Sequence, residues 1–143
     1  MSFVGYQDAA VQIRKLPEDA FAEAAIAAPL EDVVAVSLAK AKASPTGSYL
    51  TLLVYVAAVH QRTTRPLGTR TVSVEEITMR DELHKQTVAT FYEEATGSVK
   101  KGGFYLIKRA RKYGDDLLIR GYSMVVACPE DLRFSVEGEA VEL

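Results

Sequence analysis

The chain has 143 residues, with 17 Lys+Arg against 19 Asp+Glu, 2 His, 1 Cys and no Trp. Hydrophobic residues at 48% and charged residues at 25% are the balance of one soluble globular domain. These counts exclude a collagen-like repeat, a disulfide scaffold, a zinc ribbon and a polybasic arm.

The first residues, Met1-Ser2-Phe3-Val4-Gly5-Tyr6-Gln7-Asp8, have no basic start followed by an apolar core. No secretory leader is expected, and cytoplasm is the expected address. Phe3, Tyr6, Ala10, Ile13 and Leu16 recur at helical spacing, with Ser2 available as N-cap, so residues 2–16 are predicted helical. Pro17-Glu18-Asp19 reads as a second helix start, with proline in the first turn and two acids at the positive dipole end. Phe21, Ala24, Ala25 and Ala28 form its apolar stripe. Pro29-Leu30-Glu31-Asp32 repeats that signal. In Val33-Val34-Ala35-Val36-Ser37-Leu38, length favours helix and β-branching favours strand; helix is preferred.

Ser44-Pro45-Thr46-Gly47-Ser48 is a loop, after which the apolar period becomes two. Residues 49–62 are predicted to form a long strand buried on both faces at its centre. Its apolar run at 52–59 is far shorter than the about 20 residues of a membrane-spanning helix. The chain reverses over residues 63–68. In the next strand Val72 and Val74 share one parity and Ile77 and Met79 the other, so a β-bulge at Glu75-Glu76 is expected to bring all four to one core. Residues 80–95 read as helix more than strand, because Asp81, His84, Val88, Phe91, Tyr92 and Ala95 fall on one side; a strand over 87–93 is the alternative.

Phe104–Tyr113 and residues 116–128 flank Gly114-Asp115 and are predicted to pair as a hairpin. Leu132, Phe134, Val136 and Ala140 alternate with polar residues in an expected last strand. The sum is a single α+β domain over 1–143: two or three N-terminal helices over 1–43, packed on an antiparallel meander of about five or six strands over 49–143.

A two-residue loop places Tyr113 opposite Asp116, Arg109 opposite Arg120 and Ala110 opposite Ile119. Parity then collects Phe104, Leu106, Ala110, Leu117, Ile119 and Val125 on a core face. The other face carries Tyr105, Ile107, Arg109, Arg111, Tyr113, Leu118, Arg120, Tyr122 and Met124. Its candidate binding residues are Tyr105, Arg109, Arg111, Tyr113, Arg120 and Tyr122. Two arginines directly opposite repel unless an anion or an acid lies between them. Regional charge points the same way: net −2 over residues 1–60, +5 over 61–113 and −5 over 114–143.

Such a face first suggests self-association, the basic middle of one copy meeting the acidic C-terminal segment of another in an assembly or virion-type particle. The alternative is single-stranded nucleic acid, with tyrosines stacking on bases and cations following phosphates, and the Lys100-Lys101-Gly102-Gly103 loop adding contacts. A third account has acids of the same chain neutralising the arginines. The pI of about 5.7 argues against a dedicated duplex-DNA binder.

Catalytic patterns are weak. Asp81 and His84 stand at i, i+3 spacing, but the one other histidine is His60, and two ligands on a helix do not make a metal site. Gly121-Tyr122-Ser123 lacks the closing glycine of a nucleophile elbow. Gly97 and Gly102 are spaced as in a phosphate loop, yet Gly103-Phe104 follows where Lys-Ser/Thr belongs. Cys128 has no basic neighbour in sequence to activate it. No cofactor and no metal are expected, and a small enzyme ranks third because no residue announces its chemistry.

Overall fold

The computed structural model describes residues 4–7, 10–13 and 33–143. Eleven strands lie in one sheet: β1 (Val4–Gln7), β2 (Ala10–Ile13), β3 (Val33–Val36), β4 (Tyr49–Val59), β5 (Thr63–Leu67), β6 (Arg70–Arg80), β7 (Lys85–Tyr92), β8 (Phe104–Tyr113), β9 (Asp116–Ile119), β10 (Met124–Ala127) and β11 (Val141–Glu142). The single α-helix among the described residues is α1 (Leu38–Ala43). The expectation of an α+β fold with helices stacked on a meander is therefore corrected: the domain is mainly β.

Five strands close on themselves. β4, β6 and β7 form an antiparallel meander; β7 pairs parallel with β9 through Thr90↔Leu118 and Phe91↔Ile119. β9 pairs with β8, and β8 returns to β4. The result is a five-stranded Greek-key barrel, a closure that removes sheet edges. Its interior holds Leu52, Val54, Val56, Ile77, Met79, Phe91, Ile107, Ala110, Leu117 and Ile119, all fully buried. α1 adds Leu38 and Ala41 to this core, and the connection from β7 to β8 adds Ala95 and Val99. Ser37 caps α1 by accepting from the Lys40 amide at 3.2 Å.

Several local expectations change for identifiable reasons. Residues 4–7 and 10–13, read as part of a helix, are a β-hairpin that β3 extends and joins to β4 at Val36↔Leu52. The second predicted helix, starting at Pro17 with its stripe ending at Ala28, falls outside the described residues. At 33–38 both tendencies are realised in succession, since the valines form β3 and the Leu-Ala-Lys run forms α1. Residues 85–92 are strand, the alternative to the helix reading, because pairing on both sides with β6 and β9 outweighs local periodicity. The expected last strand is replaced by a 3-10 turn at Glu130–Leu132, irregular chain, and β11 beside the start of β7.

No bulge forms at Glu75-Glu76; the β6–β7 register runs unbroken from Val74↔Tyr92 to Arg80↔Gln86. The two parities of β6 serve two different cores. Ile77 and Met79 enter the barrel, while Val72 and Val74 join Tyr92 and Leu118 in an outer cluster edged by Leu67. The register shift lies instead in β4, between Val56 and Ala58.

A candidate cation and aromatic face

The predicted hairpin forms at its tip, with Tyr113↔Asp116, Lys112↔Leu117 and Arg111↔Leu118 paired as expected. The second strand ends at Ile119, and its Leu118 and Ile119 also pair with β7 on the other edge, which closes the barrel. A tight turn over residues 120–123 follows, closed by the Ser123 amide donating to the Arg120 carbonyl at 2.8 Å. β10 then resumes along the other half of β8 with Met124↔Lys108. One predicted strand has become two.

Arg109 marks the break. It has a left-handed φ of 61°, and the β4–β8 register shifts across it, from Leu52↔Ile107 to Leu50↔Ala110. An extra residue in β8 inverts side-chain parity on passing it. Ile107 and Ala110 consequently both face the barrel interior. Ser123 secures the bulge: its hydroxyl donates to the Arg109 carbonyl at 2.8 Å and accepts from the Arg120 amide at 3.1 Å.

This break sorts the six predicted binding residues. Tyr105 lies on the wrong side of it; the ring packs against the barrel core and the hydroxyl accepts from the Lys100 amide at 2.9 Å. Ile107 and Met124 also leave the predicted face for two separate apolar clusters, while Leu118 stays on it beside Arg111. The other five remain on one surface. Arg109 stacks on Tyr49, with Cζ 4.9 Å from the ring centroid, and lies 5.7 Å from the centroid of Tyr122. The two tyrosines meet edge to face at 5.8 Å. Arg111 lies 5.8 Å from the Tyr49 centroid, and its Nε is buried without a hydrogen-bond partner.

Around the hairpin, Arg120 stacks on Tyr92 at 4.5 Å. From the other side Arg65 of β5 approaches the same ring at 5.8 Å and donates to its hydroxyl at 2.8 Å. Arg65, Leu67, Tyr92, Arg111, Tyr113, Asp116, Leu118 and Arg120 enclose an open cleft of about 400 Å³. Its floor is the outer apolar cluster beneath Tyr92 and Leu118. Arg109 and Arg120 are thus not a facing pair; each guanidinium has its own tyrosine. Tyr49, Tyr92 and Arg65 escape a reading confined to one hairpin, because β4, β7 and β5 reach the site only through barrel closure. Tyrosines at both ends of the apolar strand runs, at 49 and 92, were the available signal.

Arg109, Arg111 and Arg120 form no ion pair with any described residue. Among the described residues the two ion pairs are Arg62 with Glu75 at 3.9 Å and Arg70 with Glu93 at 2.8 Å. Asp116, at the hairpin tip, is the single carboxylate lining the cleft. Lys112 stays out of the face: it is buried, donating from Nζ to the Ser44 carbonyl at 3.0 Å. The lysine–glycine loop is elsewhere too, since Gly102 and Gly103 pair with Val56 near the far end of β4.

The remaining candidates take structural roles. Asp81 is buried, accepting at Oδ2 from the Leu38 amide at 2.9 Å and at Oδ1 from the Leu83 and Lys85 amides, both at 3.0 Å. It ties the start of α1 to the β6–β7 turn. His84 Nδ1 is bonded to Arg80, and His60 Nε2 to Thr78 at 2.9 Å. No cluster of three His, Cys, Asp or Glu suited to a metal occurs among the described residues. Cys128 is buried, which pushes its thiol up to about 12 despite the opposing pull of Arg133. No helix among the described residues is long and apolar enough to cross a membrane.

No protein-family model matches the chain. No curated protein matches it either. Among solved structures it is similar to the solution NMR structure of the OB domain of Ta0387 from Thermoplasma acidophilum, with a TM-score of 0.50 and 12% identity, covering 62% of this chain and 83% of that one. The order of the five barrel strands, with the third parallel to the fifth, agrees with that assignment. At this identity the likeness is one of fold.

Proposed function

We propose that the protein binds single-stranded nucleic acid along the surface running from Tyr122 and Tyr49 past Arg109 and Arg111 to the Arg120–Tyr92–Arg65 cleft. The observation that carries the reading is a row of arginines held on tyrosine rings with no ion-pair partner among the described residues. Tyr113, Tyr49 and Tyr122 are 60%, 50% and 38% exposed, which leaves aromatic surface for bases beside the arginines. Base–aromatic stacking contributes about 1–3 kcal/mol per base, and guanidiniums follow phosphates without reading sequence. Position supports the same function. OB barrels commonly bind oligonucleotides beside the loops joining strands one to two and four to five. Here β5 lies in the first of those connections, and Gly114-Asp115 is the second.

The test is fluorescence anisotropy with oligo(dT) over a salt series, on the native chain and on Arg109→Glu/Arg120→Glu. The variant is expected to bind at least about tenfold more weakly. Its log–log salt slope should be shallower by roughly 1.4, two contacts at about 0.7 each. Native mass, measured on the same samples by light scattering, should not change. Self-association through this face makes the opposite prediction: a drop in mass, with no oligonucleotide binding to lose.

A further inference from the structure

We infer that the Arg65–Arg111–Arg120 cleft takes a terminal phosphate monoester, so that the protein engages phosphorylated ends of single strands; this rests on the single-strand reading above. The argument is one of charge and donors. Three guanidiniums and one carboxylate, Asp116, line the cleft, leaving two positive charges. An internal phosphodiester carries one negative charge, whereas a terminal monoester carries about −1.5 to −2 at neutral pH. The second charge is what distinguishes a strand end from its interior.

The donors converge from two strands and a turn. Arg65 reaches in from β5, Arg111 from β8, and Arg120 from the turn after β9. Arg65 and Arg120 are both oriented by Tyr92, the former through its hydroxyl and the latter through its ring. Arg111 adds a third guanidinium to the lining, with no ion-pair partner among the described residues. Three planar guanidinium forks suit the three oxygens of a monoester better than the two free oxygens of a diester. The path out of the cleft favours a chain end as well. Arg111 is shared between the cleft and Tyr49, so a strand whose phosphate sits in the cleft has its first bases directed toward Tyr49 and Tyr122.

The experiment compares three oligo(dT) strands of about ten nucleotides, a length within one OB-fold site: 5′-phosphorylated, 3′-phosphorylated, and bearing hydroxyls at both ends. One phosphorylated form is expected to bind at least about tenfold more tightly than the unphosphorylated strand, as charge-assisted hydrogen bonds imply. Arg65→Gln/Arg120→Gln should abolish that preference, and Lys101→Gln, in the distant loop, should retain it. Equal binding of all three strands overturns the end-recognition inference and leaves the single-strand reading intact. No binding by any strand overturns the single-strand reading itself. Inorganic phosphate and thymidine monophosphate serve as competitors. Displacement by either at the same concentration as the phosphorylated strand would assign the cleft to a free small anion and overturn strand-end recognition.

Discussion

Two parts of the barrel hold charge in opposite ways. At the β6–β7 turn, Asp81 is buried and meets three backbone amides, from Leu38, Leu83 and Lys85. On the hairpin face, Arg109, Arg111 and Arg120 rest on tyrosine rings and form no ion pair with any described residue. The contrast separates structural charge from available charge. A buried carboxylate that accepts from three backbone amides is committed to the fold, and it fixes the backbone that supplies them. An aromatic face attracts a guanidinium without using up its N–H donors, so stacking orients the cation and leaves its hydrogen bonds to an incoming anion. Acidic and basic residues that look alike in sequence thus divide by what satisfies them.

The comparison breaks most visibly at Asp81. Asp81→Ala orphans three amides and is expected to lower stability by about 3 kcal/mol, measured by urea denaturation. At temperatures where the variant remains folded, oligonucleotide affinity should be unchanged. A parallel loss of affinity at full folding would mean that the two regions are not independent.

On the face, Tyr122→Leu should leave stability nearly unaltered and weaken oligo(dT) binding by about 1–3 kcal/mol, the contribution of one stacked base. Unchanged binding would remove Tyr122 from the surface.

The smallest expected effect sharpens the contrast within one residue. Arg109 occupies a left-handed conformation, at a cost of about 1–2 kcal/mol for a residue with a Cβ. Arg109→Gly relieves that strain, so thermal unfolding should show a stability gain of about 1 kcal/mol while oligonucleotide binding weakens. A variant with neither the stability gain nor the loss of binding would remove Arg109 from the proposed surface.

Much of the face was legible from the hairpin. A two-residue Gly-Asp turn sets the register at Tyr113↔Asp116, and that register alone aligns Arg111 and Tyr113 with the second strand. Tyr105 was misassigned because alternation was carried through Arg109, where an inserted residue reverses it. A non-glycine residue at positive φ has no signature in composition or hydropathy. The helix reading of 80–95 failed for a related reason: the side chains that line up at helical spacing also include Phe91 and Tyr92, which successive strand positions send into two different clusters.

Local chemistry by itself determined the turns, the long apolar strand β4, the tip of the β8–β9 hairpin and the concentration of arginine and tyrosine around it. These follow from short-range backbone preferences and from apolar run length, which need no knowledge of distant partners. Barrel closure was decided by tertiary structure alone. It converts periodic segments into strands through pairing on both edges, divides β6 between two cores, and sets β9 between β8 and β7. Closure also brings Tyr49, Tyr92 and Arg65 beside the hairpin arginines, because residues far apart in sequence meet only where nonlocal hydrogen-bond ladders place them.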